Sequence, residues 1–155
     1  MSDPIKPDFH AFRHEIRDGN AARGFHEDGD SFREFAKTDH PLAQKALANY
    51  YTNRMTLVMG EVIEAHEELR SGHSIGEVYY SGGVQREDMM GNPTGELVGG
   101  KPEGAVVELV DAHIRLLDLA AEMEEAGIIE DWDALVEAKL TYNGTRGYKH
   151  GGRAF

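Results

Sequence analysis

The chain has no cysteine, which excludes disulfides, thiolate zinc sites and cysteine nucleophiles together. No apolar run approaches the roughly 18 residues that would suggest a membrane span. The first residues, MSDPIKPDFHAF, lack the apolar centre of a signal peptide. A cytoplasmic protein with no membrane partner is therefore expected. Positive charge is scarce: 16 Lys and Arg stand against 28 Asp and Glu, and the formal charge of -12 argues against general nucleic-acid binding. Acid is missing from the C-terminal end. After Glu137 none occurs, while Lys139, Arg146, Lys149 and Arg153 follow. A basic end on an acidic body suits a site for metal plus phosphate, and an ordinary solvated tail reads equally well from charge alone. None of the eight histidines has Glu three positions before it, which argues against a di-iron carboxylate bundle. Repeats and heptads are absent too, so neither a solenoid nor a coiled coil is expected.

What is present points to one domain of 155 residues, an all-α bundle with a modest core. Its centre is Lys101 to Ala121, KPEGAVVELVDAHIRLLDLAA, where Glu108, Asp111, Arg115 and Asp118 recur at steps of three and four. At about 100° per residue they share one narrow stripe of a helix. The remaining circumference is apolar, so the helix is predicted to be buried on most sides and to end near Gly127. Buried carboxylates need a cationic partner, which is either a basic side chain or a metal ion.

A second helix is predicted from Thr38–Pro41 to Gly72, capped by Thr38 or Asp39. Within it, RMTLVMGEVIEAHEELR sets Glu61 and Glu64 at the border of the apolar stripe. Antiparallel packing would bring Glu61 and Glu64 opposite Glu108 and Asp111. Four such carboxylates repel by about 4 kcal/mol per close pair at an effective dielectric near 20. Hard divalent cations relieve this, and all-oxygen donors favour Mg²⁺, or Mn²⁺, over Zn²⁺. Gly60 either permits a close helix contact or is a weak spot.

The remainder divides by composition. Residues 1–40 are polar, with short helices expected at Asp8 to Arg17 and at Ser31 to Ala36, capped by Ser31, and a loop at Asp28-Gly29-Asp30. Phe25 and His26 there are either local packing, which is favoured, or an exposed edge for base stacking. Eight glycines and Pro93 mark residues 71–100 as an irregular excursion with a short extended piece at Glu77 to Tyr80. Pro102 is expected to open the central helix, with its N-terminal amides and Lys101 suited to an anion. A last helix, Asp131 to Tyr142, is capped by Asp131 and has an apolar side of Trp132, Leu135, Val136 and Leu140. Lys139, Asn143 and Arg146 gather at its far end, before a basic tail over 144–155.

Three segments, GEVIEAHEELRSG, KPEGAVVELVDAHIRLLDL and KLTYNGTRGYKHGGR, together resemble the MazG-like nucleoside triphosphate pyrophosphohydrolases of the all-α NTP pyrophosphatase group. The resemblance covers roughly residues 54 to 153, departing at about Gly82 to Gly100, which looks like an insertion. It implies hydrolysis of an NTP or dNTP to monophosphate and pyrophosphate in nucleotide-pool control, with a homodimer or homotetramer. By this resemblance Glu61, Glu64, Glu108 and Asp111 match Mg²⁺ ligands, and Glu61 or Glu64 could activate the attacking water. Lys139, Asn143 and Arg146 match a substrate-binding tail motif. A non-catalytic nucleotide-binding or regulatory relative is the alternative, and acidic stripes that are merely solvated faces form the blandest one.

Overall fold

A computed structural model describes residues 8–145. The chain runs through α1 (Phe9–Ala21), α2 (Glu27–Ala36), α3 (Ala43–Arg70), four short strands, α4 (Ala105–Glu125) and α5 (Trp132–Gly144). This mostly helical architecture agrees with the class expected from the pattern. None of the described helices is long and apolar enough to cross a membrane. Asp8 caps α1 by accepting from the Ala11 amide, and Asp131 caps α5 by accepting from the amides of Asp133 and Ala134.

Local readings fail where tertiary contacts intervene. Helix α2 begins at Glu27, four residues before Ser31, and the Ser31 hydroxyl donates to the Glu27 carbonyl within the helix instead of capping it. Acidic residues Glu27, Asp28 and Asp30 in the first turn suit the positive end of the helix dipole. The Asp28-Gly29-Asp30 loop is therefore helical, and Gly29 is there for space. A Cβ on it would lie 2.5 Å from both the Tyr50 hydroxyl and Glu122 Oε1. Thr38 closes α2 by donating to the Phe35 carbonyl and does not open α3, which starts at Ala43.

The glycine-rich excursion is more ordered than its composition suggests. Strands β1 (Tyr79–Ser81) and β4 (Lys101–Glu103) pair antiparallel with Tyr80 opposite Pro102, and β2 (Val84–Glu87) pairs with β3 (Pro93–Val98) as a hairpin between them. Lys101 and Pro102 are thus strand residues, and Pro102 does not open α4. Gly104 makes the change of direction: its φ is +124°, and a Cβ there would overlap the Glu77 carbonyl oxygen.

Helices α3 and α4 pack antiparallel, because partners on α4 fall in number as those on α3 rise: Tyr50 meets Glu122, Arg54 meets Asp118 and Glu61 meets Arg115. Both helices bury carboxylates beside small and aromatic residues: Glu61 of α3 is buried with Ala43, Tyr50, Tyr51 and Ala65. On α4, Glu108, Asp118 and Glu122 are buried while Val106, Leu109, Val110 and Leu116 are exposed. Met55, Met59, Val62 and Ile63 of α3 are exposed as well. The expectation of a central helix buried on most sides is corrected: the covered side of α4 mixes Glu108, Asp118 and Glu122 with Ala105, Ala112, Leu119, Ala120 and Ala121, and several of its larger apolar residues face outward. The largest fully buried side chains are Arg13 and Glu122, beside a small apolar cluster of Tyr50, Tyr51 and Leu119.

Candidate metal centre and adjoining cleft

The inward stripe of α4 carries two sets of groups that differ in how well they are neutralised. Nearer the C-terminal end, Asp118 accepts from His26 at 2.9 Å and from Arg54 at 2.5 Å. Glu122, one turn on, accepts from the Tyr50 hydroxyl at 2.7 Å and from Arg33 at 2.6 Å. Burial pushes the Glu122 carboxyl up, but His26, 3.6 Å away, and the bonds from Tyr50 and Arg33 outweigh it and hold the group at about 2. The hydrogen bond to Asp118, with help from Glu122, lifts His26 to about 9. These charges are spoken for, and they fasten α2 and α3 to α4.

The N-terminal end is different. Oxygens of Glu61, Glu108 and Asp111 lie within 4.8 Å of one another, drawn from the facing sides of α3 and α4. Glu108 is 4 % exposed. Burial holds its carboxyl above the usual range, partly offset by Lys101 and reinforced by the charges of Glu64, Asp111 and Glu61. Glu64 is exposed and stands outside the convergent trio, close enough for its charge to be felt. Two cations attend the trio. Arg115 donates through Nε to Glu61 Oε1 at 2.5 Å, while Lys101 pairs with Glu103 at 2.8 Å and is raised mainly by that bond, with smaller contributions from Glu108 and Asp111.

A second set of convergent ligands, His10, His14 and Glu124, is a weaker candidate. Both Glu124 oxygens are already used, by the Arg13 guanidinium, the Trp132 amide and His14. Its carboxyl is held at about 2, chiefly by Arg13. A cation bound there would face buried Arg13 with no free carboxylate lone pair.

A cleft of about 270 Å³ opens beside the trio and shares Asp111 with it. Asn20, Phe25, Leu57 and Ile114 line it, and Arg54 and Arg115 stand there with Asp111 and Asp118, so its formal charges balance. Phe25 and His26, adjacent in sequence, part company: His26 is 3 % exposed and paired, whereas Phe25 is 62 % exposed on the cleft. Phe25 therefore keeps the exposed-edge reading, and His26 takes the packing one.

The tail residues are not brought here within one chain. Lys139 sits with its ammonium 5.4 Å from the Tyr142 ring centroid, Asn143 is exposed on α5, and neither lines the cleft. Arg146 lies outside the described residues. Sequence reasoning missed Arg13, Arg54 and Glu122. Glu122 had a legible signal, since it extends the 108-111-115-118 stripe by one turn. Arg13 and Arg54 had none, because their partners are distant in sequence. Comparison of the chain with protein-family models, curated proteins and solved structures returned no match.

Proposed function

We propose that the chain is a divalent-metal-dependent pyrophosphohydrolase that converts an NTP or dNTP to its monophosphate and pyrophosphate. The observation that carries this reading is the convergence of Glu61, Glu108 and Asp111 on one another, with Asp111 also lining a cleft that mixes aromatic, amide and guanidinium groups. The donor set fits Mg²⁺ or Mn²⁺: all ligand atoms are carboxylate oxygens, and Glu108 is held high by burial, as expected of a carboxylate short of positive charge. When bound, such an ion would neutralise triphosphate oxygens and lower the pKa of a water. Glu61, Glu108 and Asp111 would hold it. Glu64, exposed and nearby, is positioned to join them or to orient the water. Arg115, 44 % exposed, offers positive charge at the cleft, and Phe25 offers a ring face for a base.

Exposed apolar residues of α3 and α4, among them Met59, Ile63, Leu109 and Val110, support self-association as a homodimer or homotetramer, since a second copy would cover them. The half-buried Trp132 and the exposed Leu135, Val136 and Leu140 of α5 line a largely apolar depression. A role for Lys139, Asn143 and Arg146 at the site would then be exercised between copies.

One observation favours a non-catalytic nucleotide-binding alternative: Glu61 is engaged by Arg115, and Glu64 is outside the trio. The deciding experiment incubates a panel of NTPs and dNTPs with Mg²⁺ and follows monophosphate and pyrophosphate, with binding measured alongside. Release of both products that stops with chelator supports hydrolysis. Binding without release selects the alternative.

A further inference from the structure

We propose that Arg115 is an exchangeable counterion: it holds Glu61 until a divalent cation takes that carboxylate, and is then free to meet the phosphates of a nucleotide in the cleft. The proposal rests on the metal-dependent reading above and adds an exchange at Arg115 that reading does not require. Three observations support it. The first is position. Asp111 and Arg115 are four residues apart on α4, and Glu108 precedes Asp111 by three, so all three project from one face. Arg115 reaches across to Glu61 Oε1, an atom of the same carboxylate that enters the convergent trio.

The second observation is asymmetry of burial. The Arg115 side chain is 44 % exposed and Glu61 10 %, so the arginine can leave while the carboxylate stays. The other arginine on the cleft is not free in this way: Arg54 is 14 % exposed, bonded to Asp118 and 3.5 Å from Glu122. The third is a destination. Arg115 already lines the cleft together with Asp111, so release from Glu61 leaves its guanidinium beside the space a triphosphate would enter. Charge gives the direction. A divalent ion arriving at the trio with Arg115 in place sets two cations against one carboxylate, and their repulsion favours the solvent-accessible one departing.

A purely structural ion pair predicts the opposite for metal. Loss of Arg115 would then loosen the α3–α4 joint and leave metal affinity unchanged or weakened. The test measures Mn²⁺ binding to the full chain by calorimetry without nucleotide, in wild type, Arg115→Met, Arg115→Lys, Glu61→Gln and the Glu61→Gln/Arg115→Met double variant. Arg115→Met should bind Mn²⁺ about fivefold tighter, the scale of one partly exposed ion pair removed as competitor, with Arg115→Lys between it and wild type. The gain should vanish in the Glu61→Gln background. Binding of a non-hydrolysable α,β-methylene triphosphate at saturating Mn²⁺ should weaken in Arg115→Met and recover in part in Arg115→Lys. If wild type binds no Mn²⁺, the metal reading falls and the exchange with it. If wild type binds Mn²⁺ and Arg115→Met binds it no tighter, the metal reading stands and the exchange is overturned. Undiminished analogue binding by Arg115→Met overturns the second half of the exchange.

Discussion

His26 and Asp118, 92 residues apart, share a buried hydrogen bond of 2.9 Å that ties the start of α2 to the middle of α4. Both groups are charged at neutral pH, and Arg54, Arg33 and Glu122 complete the cluster. Desolvating these charges is costly, so each is retained only because its neighbours are in place. The fold is consequently held by a charged network where an apolar core would be usual.

Stability should therefore depend on pH in a defined way. His26 is raised from 6.5 to about 9 by Asp118 and then Glu122, so its contribution is complete below about 6.5 and is lost as pH rises through about 9. Glu122 is lowered from 4.5 to about 2, so its contribution is complete above about 4.5 and is lost as pH falls through about 2. The plateau expected from this pair lies between about 4.5 and 6.5. Chemical denaturation at pH 6 and pH 9 should show a loss at the higher pH that His26→Gln largely abolishes. Equal losses in both proteins would show that His26 does not titrate against Asp118 and Glu122.

Metal should act on the same fold through the other end of α4. At a hundredfold excess over its dissociation constant, Mg²⁺ should stabilise wild type by about 2.7 kcal/mol. Asp111→Asn should melt higher than wild type in chelator, because Glu108 is relieved of a neighbouring charge, and should gain less from Mg²⁺. Thermal melts with and without Mg²⁺ test both signs at once, and small equal shifts in the two proteins count against a shared ion.

Two helical glycines should respond oppositely to alanine. Gly60 has nothing within 4 Å of an added Cβ, so it is a weak spot in α3 and not a close helix contact, and Gly60→Ala should stabilise by about 1 kcal/mol. At Gly29 the same propensity gain is outweighed by overlap with the Tyr50 hydroxyl and Glu122, and Gly29→Ala should cost about 1–3 kcal/mol. Urea midpoints compare them directly.

Self-association can be read from size in solution. Leu109 is 44 % exposed and Val110 51 %, both on the outward side of α4. Sedimentation should give a dimer or tetramer for wild type and a smaller species for Leu109→Glu or Val110→Glu, with helix content retained. A monomeric wild type would remove the proposed association.

Much of this arrangement is local and was legible in the sequence. Helix α5 with its Asp131 cap, the long α3 and the stripe of Glu108, Asp111, Arg115 and Asp118 all follow from periodicity and capping chemistry, which act over a few residues. Composition misled where a residue serves a distant partner. Gly29 looked like a turn because glycine frees the backbone, yet it is there to let Tyr50 and Glu122 approach. Pro102 looked like a helix start because its φ suits one, yet β1 claims it for a strand. Amphipathicity fixes that a helix has two faces without saying which is turned inward, and apolar residues ordinarily win that contest. Here the tertiary structure decided otherwise. Across α3 and α4 the carboxylates meet Arg54, His26, Arg33 and Arg115 from other parts of the chain, and that compensation is what lets Glu61, Asp118 and Glu122 be buried beside Tyr50, Tyr51 and Leu119 while Leu109, Val110 and Met59 remain outside.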